Sequence, residues 1–128
     1  MLQDGNAPQH GWVLYYKQSV NRFELDVSAD GTNTAAVVKA DNLGSPSINT
    51  WYFVVARYDG VNISISVNAG TPNTTAFSSD IHDSTDTLRL GFLNGTLDEP
   101  MLFKRALTDA EVAYLYNNGL GRALPFAG

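Results

Sequence analysis

Apolar and polar residues alternate with a period of two along most of this chain. The clearest stretch is 61–68, where Val61, Ile63, Ile65 and Val67 interleave with Asn62, Ser64, Ser66 and Asn68. A strand sends successive side chains to opposite faces, so this segment has one β-branched face and one polar face. Burial on one side only favours an antiparallel sheet. Just upstream, 51–58 is apolar on both faces, with Tyr52, Val54, Ala56 and Tyr58 on one and Trp51, Phe53 and Val55 on the other. This predicts a strand in the middle of a sheet, covered on both sides, with Trp51, Tyr52 and Phe53 in the core. Asp59-Gly60 between the two segments predicts a type I′ hairpin turn, in which both turn residues take positive φ.

Further strands are expected at 12–17, at 22–27 (Phe23, Leu25 and Val27 against Arg22, Glu24 and Asp26), and at 35–39 after the Asp30-Gly31 turn signal. Two more are expected at 88–92, where Leu88, Leu90 and Phe92 alternate, and at 96–104 after Asn94-Gly95. Pro100 lacks a backbone donor and marks the last of these as an edge strand or a bulge. One helix is signalled: Thr108-Asp109-Ala110-Glu111 fits a capping box, Val112, Leu115 and Tyr116 share a face, and Gly119 offers a left-handed stop. Many short strands and one late helix predict an all-β fold, an antiparallel two-sheet β-sandwich with one short C-terminal helix, in a single domain over residues 1–128.

Composition narrows the chemistry. The 128 residues include no cysteine, which excludes thiol catalysis, zinc–thiolate sites and a disulfide framework. The net charge of −5 disfavours nucleic acid as a partner, since phosphate neutralisation needs a basic surface. No apolar run approaches the roughly 20 residues of a membrane span, so membrane insertion is not expected. Met1-Leu2-Gln3-Asp4-Gly5 has neither the basic region nor the apolar core of a signal peptide.

Glu24 and Asp26 stand two apart on one strand face, and a pair of carboxylates is what glycosidic cleavage requires. Arg22 continues the same polar side, however, and the segment is expected to be a solvated strand face. Asp98 and Glu99 are adjacent, so in a strand they point to opposite faces. His10 and His82 accompany no nucleophile-elbow motif. No catalytic constellation is expected. The loop Asp80-Ile81-His82-Asp83-Ser84-Thr85-Asp86 gathers hard oxygen donors, with Asp80, Asp83 and Asp86 as candidate calcium ligands. It lacks the internal Gly and final Glu of an EF-hand, and an acidic turn with Asx caps explains it more plainly. Glycan recognition needs flat aromatic platforms and planar hydrogen-bonding groups; the candidates are Trp12, Tyr15, Arg57 and Tyr58, with Asp30 and Asn33 from a neighbouring turn.

The run Trp51-Tyr52-Phe53-Val54-Val55-Ala56-Arg57-Tyr58-Asp59-Gly60, then Val67-Asn68-Ala69-Gly70, resembles the laminin-G-like, concanavalin A-like lectin/glucanase jelly roll. Gly95-Thr96-Leu97-Asp98-Glu99, Phe103-Lys104-Arg105-Ala106-Leu107-Thr108 and the helix ending near Gly119 are similar to that family's closing signature. Gly11-Trp12-Val13-Leu14-Tyr15 fits an inner strand. The resemblance implies a jelly roll, calcium held at a loop rim, and glycan or protein as partner. It also implies an N-terminally shortened domain, lacking the usual first strands before Gly11: a fragment, a minimal version, or a sheet whose open edge a partner chain or a second copy is expected to complete. The spacing at Glu24 and Asp26 departs from the Glu-x-Asp-x-x-Glu pattern of sugar-cleaving relatives. Two functions follow as expectations. One is a non-catalytic recognition module binding glycan or protein through its loops. The other is a structural virion protein, such as a phage decoration, cement or fibre-type subunit. Either would act outside a cell or on a virion surface.

Overall fold

The computed structural model describes residues 2–4, 10–91 and 93–122. Its strands are β1 (Leu2–Asp4), β2 (Trp12–Lys17), β3 (Arg22–Val27), β4 (Ala36–Lys39), β5 (Val54–Tyr58), β6 (Asn62–Val67), β7 (Asn73–Ala76) and β8 (Leu88–Leu90), followed by helix α1 (Asp109–Tyr116). They form a five-stranded sheet in the order β4-β3-β2-β1-β8 and a three-stranded sheet in the order β5-β6-β7. Every pairing is antiparallel.

Register explains the core. Trp12, Val27 and Ala36 lie side by side across β2, β3 and β4, as do Leu14, Leu25 and Val38. These rows face the second sheet and meet Ile63, Ile65, Val67, Val54 and Ala56. The alternation in 61–68 therefore buries Ile63 and Ile65 completely, while Val61 falls in the turn and is exposed. Through β1 the same two rows continue to Leu88 and Leu90 of β8. Those leucines belong to the inner face, yet they are 42% and 52% exposed. The three-stranded sheet does not extend over them.

The two sheets are tied together along the opposite flank, where β4 runs beside β7. Thr75 Oγ1 donates to the Val37 carbonyl (2.9 Å), the Asn42 N–H to Asn73 Oδ1 (2.9 Å), and Asn42 Nδ2 to the Thr71 carbonyl (3.0 Å).

The second apolar face of 51–58 is covered by the helix. Phe53, Val55 and Ala69 pack against Leu107, Val112 and Leu115, and Phe53 stacks on Tyr116. The capping box forms as the sequence predicts: the Glu111 N–H donates to Thr108 Oγ1, and the Thr108 N–H donates to Glu111 Oε2. Arg105 also donates to Glu111, at 2.8 Å. That pairing holds the Glu111 carboxyl down at about 2.

Several expectations are corrected. β5 lies at the end of its sheet, not in the middle; the helix supplies the covering on its outer face. Trp51 precedes the strand and is 66% exposed, whereas Tyr52 and Phe53 are half-buried. In the β5–β6 turn only Gly60 takes positive φ (91°). Asp59 stays on the ordinary side because its carboxylate accepts from the N–H groups of Val61 and Asn62 (2.9 and 2.7 Å), an Asx turn. Those two bonds also hold its carboxyl below the usual range. The turn with two left-handed residues is instead the one leaving β6: Asn68 (φ 52°) and Ala69 (φ 54°). The helix stops at Asn117 (φ 47°), before Gly119. Segment 96–104 contains no strand. Glu99 takes φ 46°, incompatible with extended backbone, and Pro100 next to it cannot donate. Phe92, expected in a strand, lies outside the described residues.

Candidate functional site

The outer face of the five-stranded sheet carries the most unusual chemistry of the molecule. Leu25 and Val27 point inward, so Glu24 and Asp26 point outward. Register sets Tyr15 of β2 directly opposite Glu24, and Lys39 of β4 opposite it on the other side. Lys17 sits one step along on the face of Tyr15. A solvated strand face was the expectation here, and Glu24 overturns it: the side chain is 0% exposed. Its cross-strand neighbours are long enough to close over it. Lys17 Nζ reaches Glu24 Oε2 at 3.1 Å, and Lys39 Nζ lies 3.8 Å from Oε1. The lysines keep their heads partly in water, at 39% and 42% exposure.

Tyr15 links the two carboxylates. Its hydroxyl stands 3.1 Å from Glu24 Oε2 and 3.1 Å from Asp26 Oδ2. A phenol has one proton to donate, so the two bonds are alternatives. Glu24 Oε1 and Asp26 Oδ1 are buried without a hydrogen-bond partner. Burial raises the Asp26 carboxyl above its ordinary value, and the neighbouring Glu24 charge adds to this; the Tyr15 hydrogen bond works in the opposite direction. Burial likewise pushes the Tyr15 hydroxyl up, helped by the charge of Asp26. The Glu24 hydrogen bond raises Lys17. The cluster thus holds two ammonium groups on the outer face of the sheet, above carboxylates that keep acceptor capacity in reserve.

A raised folded-state value for Asp26 means the folded protein prefers the protonated acid. The resulting stability is fully present below the ordinary aspartate value of 3.8 and is lost as pH rises through the folded value. Asp26→Asn is expected to abolish this component. Urea denaturation from pH 4 to 8 should show the variant gaining stability on the parent as pH rises; a constant difference would contradict the assignment.

The other candidates are placed elsewhere. Trp12 packs against the core, on the opposite face of β2 from Tyr15. Tyr58 also packs inward and donates to the Ser79 carbonyl (2.8 Å). Arg57, on the other face of β5, donates to the Leu107 carbonyl (2.9 Å) and Asp109 Oδ1 (2.7 Å), fastening α1 to the sheet. Asp30 and Asn33 close their own loop. Asp30 Oδ1 accepts from the N–H groups of Thr32 and Asn33, which holds its carboxyl far below the usual range. The Asn33 carbonyl accepts from the buried Ser28 hydroxyl. A side chain at Gly31 in that loop would be strained on two counts: φ is 79°, and a Cβ would meet the His82 ring at 2.6 Å, so the ring would have to move. The six ligand candidates therefore do not share one surface.

Asp80, Asp83 and Asp86 lie in an exposed loop. Among the described residues no group of three or more His, Asp or Glu is placed to hold a metal ion. Lys17 and Lys39 were not among the sequence candidates. The signal available for them was parity, since both fall on strand positions that share a face with Tyr15 or Glu24.

Comparison with known proteins agrees with this architecture. A family model for a laminin G domain, described as "Concanavalin A-like lectin/glucanases superfamily", matches residues 2–113. No curated protein and no solved structure gives a significant match. No helix among the described residues is long and apolar enough to cross a membrane.

Proposed function

The chain belongs to the concanavalin A-like lectin/glucanase superfamily, and from that premise we propose that it is a non-catalytic recognition module contacting glycan or protein through the outer face of its five-stranded sheet. Domains of this kind are typically binding modules and commonly extracellular. The observation that carries the proposal is the buried Glu24 beneath Lys17, Lys39 and Tyr15. Enclosing a carboxylate on a sheet face that could have been solvated costs stability unless it is paired. A cluster that perturbs several titrations outside the core is a functional candidate on that ground. The lysines and the phenol offer donors to a ligand, and Glu24 fixes their positions.

A glycan array with and without chelator tests this. Binding is expected to fall at least tenfold in the Lys17→Gln/Lys39→Gln double variant, in keeping with about 1.5–3 kcal/mol for a charge-assisted hydrogen bond. The far-ultraviolet spectrum should not change. Unaltered binding would remove the face from consideration. Binding that disappears with chelator would favour a calcium rim at Asp80, Asp83 and Asp86.

Contact with a protein shell or a second chain is a further reading, supported by the exposure of Leu88 and Leu90 on the inner face and by β5 lying at the end of its sheet. An unpaired strand edge is a template for an incoming strand. A virion subunit would use such an edge.

A further inference from the structure

The Asn94-Gly95 pair is left over once the fold is in place. A type I′ hairpin turn would need positive φ at both residues. Neither Asn94 nor Gly95 takes positive φ, and no strand follows them. Packing does not demand the glycine either, because a Cβ there would meet only the Leu93 side chain, at 3.6 Å, an ordinary contact. What the pair retains is its chemistry. An asparagine followed by glycine can close into a ring, since the next backbone nitrogen reaches the side-chain amide carbon and no Cβ obstructs it. That nitrogen must be free of hydrogen bonding, and the main chain must be able to turn it toward Cγ.

Among the described residues four Asn-Gly or Asp-Gly pairs occur, and the fold locks three of them. The Gly31 N–H donates to the Ser28 hydroxyl (2.9 Å), and Asp30 Oδ1 accepts from the Thr32 and Asn33 N–H groups. Before Gly60, the Asp59 carboxylate is taken by the Val61 and Asn62 N–H groups. Asn118, before Gly119, is held at φ 55°, ψ 35°. Its turn is closed by the Leu120 N–H donating to the Asn117 carbonyl (3.1 Å) and the Gly121 N–H donating to the Tyr116 carbonyl (3.2 Å).

Asn94-Gly95 is different. Both residues are exposed. Among the described residues, neither the Asn94 side chain nor the Gly95 N–H makes a hydrogen bond, and residues 93–106 make no backbone–backbone hydrogen bond at all. Exposed, weakly tied segments are where local motion and covalent change concentrate.

We propose that Asn94 is a self-modification site, converting to aspartate and isoaspartate through a succinimide formed with Gly95. The Gly95 nitrogen gives its proton to water and attacks Asn94 Cγ. The bond from Cγ to the amide nitrogen breaks, and ammonia leaves. Water then opens the ring. Addition at Cγ gives aspartate; addition at the Asn94 main-chain carbonyl carbon gives isoaspartate, with the backbone rerouted through Cβ. One water is consumed and one ammonia released, with no electron transfer. Either product adds one negative charge to the net −5, in the segment that leaves β8. The fold, and not the dipeptide, selects the site, because Asn118-Gly119 has the same sequence and is held.

The test is incubation of the full chain in oxygen-18 water at mildly alkaline pH, then tryptic digestion in ordinary water and mass spectrometry. Cleavage after Arg89, Lys104, Arg105 and Arg122 puts the two Asn-Gly pairs on separate peptides, 90–104 and 106–122. Peptide 90–104 is expected to take up label about tenfold or more faster than 106–122, whose hydrogen-bonded turn must open first. In concentrated urea the two rates should converge. Gly95→Ala, with an unchanged far-ultraviolet spectrum, should slow labelling of 90–104 about tenfold by placing a Cβ beside the attacking nitrogen, and should leave 106–122 as it was. The proposal is overturned by absence of label in 90–104, by equal or faster labelling of 106–122, by a difference that persists in urea, or by an unchanged rate in Gly95→Ala.

Discussion

Ile63→Ala is expected to cost about 4 kcal/mol of folding stability, in the upper part of the roughly 2–5 kcal/mol range for such truncations. Ile63 is 0% exposed and sits in the middle strand of the three-stranded sheet, between β5 and β7. Its neighbours are fixed by register on both sides and cannot close the space. A chain of this size has about 5–15 kcal/mol in total, so much of the native margin would go. Trp51→Ala is the matched control. Trp51 is the larger side chain, but it is 66% exposed, and its loss should stay within about 0.5 kcal/mol. Urea denaturation reads both. A shifted midpoint with unchanged slope in the first variant and an unmoved midpoint in the second are the expected results. Reversed results would mean that the interior has been assigned to the wrong aromatic and aliphatic residues.

Arg57→Met is expected to cost about 2–3 kcal/mol, and for a different reason. The guanidinium donates to the Leu107 carbonyl and to Asp109 Oδ1, and only 11% of its side chain is exposed. Methionine keeps the apolar stem and removes the donors. The Leu107 carbonyl then loses its donor beside a buried cluster, at about 1–3 kcal/mol for such a group. Asp109 is 75% exposed and loses little. Asp109→Asn alone should therefore be mild, and a double-mutant cycle should assign most of the Arg57 effect to the carbonyl. If Arg57→Met altered ligand binding without moving stability, the side chain would be a recognition residue.

Local patterns announced much of this fold. The β5–β6 hairpin, the interior positions Ile63, Ile65 and Val67, and the capping box at Thr108 each depend on residues within a few positions of one another. What could not be read locally depends on distant neighbours. Glu24 looks solvent-facing because it alternates with Phe23 and Leu25; its enclosure comes from Lys17 and Lys39, which register alone brings to it. The same holds for Arg57, whose partners lie fifty residues onward. Trp51 was misplaced for another reason: an aromatic run shows that a strand is near but not where it begins. Segment 96–104 follows a hairpin signal at Asn94-Gly95, yet one left-handed residue at Glu99 beside Pro100 is enough to break a strand there.

The side-chain ties between Thr75 and Val37, and from Asn42 to Asn73 and Thr71, all fall along one margin of the sandwich. At the other margin β8 ends the larger sheet and β5 the smaller, and among the described residues no hydrogen bond joins those two strands. The molecule is built like a book with a stitched spine and a loose fore-edge. Native-state breathing has an easy direction, and a newcomer that wedges between the covers would meet its least resistance beside Leu88 and Leu90.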